Sequence, residues 1–83
     1  MVKAYILLNC EIGSERHLVD ELKTVPGVKK AHCIMGAYSV MTEIESSSLE
    51  ELQKIIVFKI RKIDMIKSTL TLVGIDGQGY STY

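Results

Sequence analysis

Met35-Gly36-Ala37-Tyr38-Ser39 is the stretch whose reading decides the fold. Residues 28–35 before it and 38–45 after it both read as strands, and so short a link makes them an antiparallel hairpin. On each side of this hairpin the chain repeats one plan, a strand–helix–strand unit. Upstream, residues 2–10 alternate: Val2, Ala4, Ile6, Leu8 and Cys10 share one strand face, and Lys3, Tyr5, Leu7 and Asn9 share the other. Gly13-Ser14 then opens a helix, with Ser14 as N-cap and Glu15 in the first turn, where negative charge is favoured. Leu18, Val19, Leu22 and Val25 form its apolar stripe, while Arg16, Asp20, Glu21 and Lys23 face water. Pro26-Gly27 ends it, since proline cannot continue a helix and glycine accepts positive φ.

Downstream, Ser48-Leu49-Glu50-Glu51 is a capping box in which Ser48 and Glu51 are expected to satisfy each other's backbone amides. Leu49, Leu52, Ile56, Ile60 and Ile63 fall on one arc at about 100° per residue. Phe58 lies opposite that arc, Ile55 and Val57 flank the arc and broaden the apolar surface, and Phe58 is read as a contact for another protomer. Ser68-Thr69-Leu70-Thr71-Leu72-Val73 is the last strand. The expectation is therefore an α+β, ferredoxin-like βαββαβ domain over residues 1–74, with a flexible C-terminal tail over 75–83. Its four-stranded antiparallel sheet has strand order 4-1-3-2 and both helices on one face, as in dimeric α+β barrels. The bare face is expected to carry Tyr5, Leu7, Ala31, Cys33, Met35, Met41 and Val73. Such a patch seldom stays wet, and pairing two of them would bury an interface on the order of 1,600 Å². Tyr80 and Tyr83 in the tail are further candidates for docking on a neighbour.

Composition narrows the function classes. A single domain of 83 residues buries only about 60–65% of its unfolded surface, so association is the readiest source of extra burial. Ten Lys and Arg balance ten Asp and Glu, which is no basic footprint for nucleic acid. No apolar run nears the roughly 20 residues that span a membrane. The N-terminal run carries no small-residue cleavage site, and the reading is cytoplasmic. Cys10 and Cys33 lack metal-ligand spacing and sit on strands that are not neighbours, so both read as unbridged, buried small hydrophobes. No nucleophile is spaced beside His17 or His32, and no catalytic residue, metal or cofactor is expected. The enzymatic alternative is a cofactor-independent, monooxygenase-like dimeric α+β barrel, which requires a cavity between sheet and helices.

Several stretches together carry a family resemblance: the opening strand, Val25-Pro26-Gly27-Val28, Gly36-Ala37-Tyr38, Leu49-Glu50-Glu51-Leu52 and Ser68-Thr69-Leu70-Thr71-Leu72. In order and spacing they resemble the C-terminal ligand-binding (RAM) domain of the Lrp/AsnC transcription regulators, up to about residue 74. The resemblance implies an amino-acid sensing module for transcription regulation. It also implies dimers formed through the sheets, assembling into octamers or decamers with the effector held between dimers near the hairpin turn. Met35, Gly36, Ala37, Tyr38 and Ser39 would then line the site, joined by Ser68, Thr69 and Thr71 from the last strand. The family turn reads Thr-Gly-x-Tyr/Phe-Asp. Gly36 and Tyr38 match it, whereas Met35 replaces threonine and Ser39 replaces the acid that would favour an ammonium group. The 83 residues hold no helix-turn-helix, so a stand-alone module is expected, with a full-length regulator as a possible partner.

Overall fold

In the computed structural model of the chain, residues 2–75 and 79–82 are described, with side chains for 2–74. Strand β1 spans Val2–Cys10, helix α1 Glu15–Leu22, β2 Val28–Cys33 and β3 Val40–Ser46. Helix α2, Leu49–Ile55, continues into a π-helical turn over Ile56–Ile60, and β4, Ile66–Ile75, and β5, Gly79–Thr82, follow. The sheet order is β2-β3-β1-β4-β5, every neighbouring pair being antiparallel. The expected 4-1-3-2 core is present. Part of the stretch set aside as a flexible tail is paired instead: Ile75 closes β4, and Gly79–Thr82 adds a short edge strand beyond it. Asp76, Gly77, Gln78, Tyr83 and the side chain of Tyr80 lie outside the described residues, as does any docking by those tyrosines.

One face of the sheet meets both helices. Ala4, Ile6 and Leu8 of β1, Val40 and Ile44 of β3, Leu18 and Leu22 of α1, and Leu52 and Ile60 of α2 and its extension are fully buried there. Each large side chain so buried contributes about 1.5–3 kcal/mol, which is why the period-2 and period-3.6 patterns fix this layer. Thr42 lies in the same layer, and its hydroxyl donates to the Lys30 carbonyl at 2.7 Å. Gly27, at φ +95°, lets the chain enter β2 against the second helix. A Cβ there would stand 2.9 Å from Ile55 Cδ1 and 3.1 Å from the Glu45 carbonyl oxygen.

The helix ends depart from expectation in instructive ways. Ser14 occupies the N-cap of α1, yet its backbone (φ −98°, ψ 1°) is not extended and its side chain makes no cap bond. Ser48 is extended (φ −151°, ψ 162°), and its Oγ accepts from the Glu51 amide at 3.2 Å. The reciprocal half of the box is missing, because the Ser48 amide donates to Ser46 Oγ at 3.3 Å instead. After Ile55 the helix widens, and the Arg61 amide donates to the Ile56 carbonyl five residues back, at 2.9 Å. Across this turn Ile56 and Ile60 are buried while Val57 and Phe58 stay exposed.

The open face differs from the expected one. The ladders place Tyr5 opposite Glu43 and Leu72, and Leu7 opposite Met41 and Leu70. Directly paired residues share a face, so the apolar patch consists of Tyr5, Leu7, Met41, Leu70 and Leu72. Ala31 pairs with Thr42, Cys33 with Val40 and Val73 with Ala4, which puts all three on the helix side. Met35 belongs to neither face, because it stands fully exposed in the hairpin loop. The cause in β2 is an irregularity between Val28 and Lys30 that inserts Lys29 and reverses the alternation beyond it.

Candidate functional site

The hairpin loop 34–39 is built onto the end of β1. The Ile34 amide donates to the Ser39 carbonyl at 2.9 Å, closing the loop, and the Ser39 amide donates to the Leu8 carbonyl at 3.0 Å. Asn9 then clamps it from the open face. Its Nδ2 donates to the Ala37 carbonyl at 3.0 Å, and its Oδ1 accepts from the Ser39 hydroxyl at 3.0 Å. Gly36 adopts φ +149°, which disfavours any L side chain. Within the loop so held, the amides of Gly36, Ala37 and Tyr38 donate to no acceptor among the described residues. Adjacent exposed amides of this kind suit an anion such as a carboxylate.

Asn9 is the residue at the candidate site that sequence reasoning passed over. Its place on the open face is legible from alternation, but its partners lie 28 and 30 residues away. Cys10, beside it, is buried on the opposite face. Burial above all, and the neighbouring Glu15 carboxylate with it, push its thiol up. A thiol raised in this way is a poor nucleophile at neutral pH.

The eight residues expected at the site do not converge. Met35, Gly36, Ala37, Tyr38 and Ser39 form the loop itself. Ser68 pairs with Asn9 and so shares the loop's side of the sheet. Thr69 pairs with Leu8 and Thr71 with Ile6, so both point to the helix layer and away from that open face. On the helix side a cavity of about 250 Å³ runs along α2, in the position an enzymatic barrel requires. Its lining residues include no carboxylate, thiol or imidazole. Among the described residues no group of three or more His, Cys, Asp or Glu gathers to hold a metal. No helix among them is long and apolar enough to cross a membrane.

Set beside known proteins, the chain matches the Lrp/AsnC ligand binding domain over residues 3–76, and it belongs to that family. An uncharacterised HTH-type transcriptional regulator of Pyrococcus abyssi is 32% identical over 82 residues, covering 96% of this chain and 52% of that protein. The chain thus spans about half the length of such relatives. A hypothetical protein of Pyrococcus horikoshii superposes with a TM-score of 0.86 at 36% identity, covering 90% of each chain. AsnC of E. coli superposes with a TM-score of 0.84 at 25% identity, covering 99% of this chain and 56% of that one. The chain is therefore a ligand-binding regulatory domain of α+β, ferredoxin-like fold.

Proposed function

We propose that this domain senses an amino acid or a similarly small carboxylate at the loop 34–39, within an assembly of dimers paired through their open sheet faces. The observation that carries this reading is the Asn9 clamp. It holds the loop rigid by two side-chain bonds at 3.0 Å while the amides of Gly36, Ala37 and Tyr38 remain free to donate. Preorganised donors avoid the entropic cost of ordering a loop on binding. Ser39 supplies a hydroxyl where the family turn has an acid, so the effector's carboxylate, rather than its ammonium group, is the part recognised here. A ligand held between dimers binds the assembly better than its parts, which couples occupancy to association. Joint assembly with a regulator that carries a helix-turn-helix would connect this module to transcription.

Titration calorimetry against the standard amino acids, combined with light scattering, tests the proposal. The expected result is at least one binder that raises the mean oligomer mass. Asn9→Ala should weaken that binder about tenfold, through loss of the two neutral hydrogen bonds that hold the loop. Binding that leaves the oligomer distribution unchanged rejects the coupling, and undiminished binding by Asn9→Ala rejects the loop as the site.

A further inference from the structure

We infer that the groove between α2, its π-helical extension and β4 is a second ligand site, built for a small branched-chain or aryl monocarboxylate that lacks an amino group. This goes beyond the loop site and does not depend on it, since the two lie on opposite faces of the sheet. The groove is lined by Leu49, Leu52, Ile56, Val57 and Val73, with Gln53, Arg61 and Thr71 as its polar groups. Its cavity of about 250 Å³ suits a ligand of amino-acid size.

Thr71 is the decisive residue. It is 1% exposed, and its Oγ1 has no hydrogen-bond partner. The other buried hydroxyls of this layer are satisfied, Thr42 by the Lys30 carbonyl at 2.7 Å and Ser46 by the Ser48 carbonyl at 2.8 Å. An orphaned hydroxyl in a wall of aliphatic side chains is destabilising by itself, and valine would fill the same space without that penalty. Its presence is accounted for if a ligand atom completes the bond. Arg61 supplies the second determinant. It follows the π-helical turn at the rim of the groove, and among the described residues it makes no ion pair. A guanidinium with its fork free recognises a carboxylate bidentately. Single wide turns of this type recur where a helix is shaped around a site. Because no Asp or Glu lines the groove, an α-ammonium group would lose water there and gain no counter-charge.

The test uses 4-methylpentanoate, its 2-oxo analogue and L-leucine as probes, read by calorimetry on the full chain. Both deaminated acids are expected to bind more tightly than L-leucine, by roughly tenfold for one uncompensated charge. Arg61→Gln should weaken 4-methylpentanoate by about tenfold or more. Thr71→Val should weaken it several-fold while raising the melting temperature of the ligand-free protein. Ser39→Ala and Asn9→Ala, which touch only the loop, should leave this binding intact. No binding of 4-methylpentanoate at millimolar concentration overturns the inference, as does L-leucine binding equally well to the Asn9→Ala variant, in which the loop site is weakened. Loss of binding in Asn9→Ala but not in Arg61→Gln assigns the probe to the loop and overturns it too. If Thr71→Val instead lowers a concentration-dependent melting temperature, a second copy of the chain fills the groove and the ligand reading fails.

Discussion

Among single residues, the two cysteines, both read as buried from the sequence, are chemically opposite. Cys33 is exposed and Cys10 is buried, with its thiol pushed up by burial and by Glu15. Iodoacetamide should therefore add one label to the native protein, at Cys33, and a second only after denaturation, which mass spectrometry resolves. The same shift makes stability depend on pH. A thiol whose folded value lies above its ordinary one keeps its proton longer in the fold than in the unfolded chain. Its contribution is complete below the ordinary thiol range and is lost as pH rises through that range towards the folded value. Cys10→Ala should accordingly flatten the fall in melting temperature between neutral pH and mild alkali. Residue-level legibility was uneven for a physical reason. Alternation alone buried Cys10, whereas Asn9 gains its role from Ala37 and Ser39, which only the folded hairpin brings to it.

For whole elements, local patterns were most reliable where one periodicity runs unbroken. The stripe of Leu18, Val19 and Leu22 forms the buried side of α1, as 3.6-residue spacing requires. In β2 the reading fails where an extra residue breaks the count: Lys29 moves Ala31 and Cys33 across the sheet. That insertion has no local residue signature, because it is fixed by what the strand packs against. Caps show the same division. Ser14 and Ser48 both stand at an N-cap position, but only Ser48 has the extended backbone that aims its hydroxyl at the helix amides. Ser48→Ala should thus cost about 1 kcal/mol in urea denaturation, the usual worth of a serine cap. Ser14→Ala should fall within about 0.5 kcal/mol of wild type, as for an ordinary surface change.

Across the molecule, β4 carries the clearest sign that the domain is built for company. Its face towards the helices bears Thr69, Thr71 and Val73, while its two leucines, Leu70 and Leu72, look the other way. Hydropathy alone assigns those leucines to the core. The pairing of Ala4 with Val73 assigns them to the open face, beside Tyr5, Leu7 and Met41. A small domain that turns two leucines of one strand away from its own helices gains that burial elsewhere or not at all. Around the patch, Lys3 lies 4.0 Å from Glu43, and Lys30 pairs with Glu43 in register, so both signs of charge rim it. A self-complementary patch with an apolar centre and a mixed rim suits two-fold pairing of like with like. Leu72→Lys sets a charge in the middle of that contact without touching the helix layer. Sedimentation of the wild type at micromolar concentration should give a dimer or larger species, and the variant should shift to the 9.3 kDa monomer with its far-ultraviolet spectrum preserved. The wild type's melting temperature should also rise with protein concentration, and the variant's should not. A wild type that already sediments as a monomer under those conditions would leave the leucines of β4 without a partner and the loop site without its second dimer.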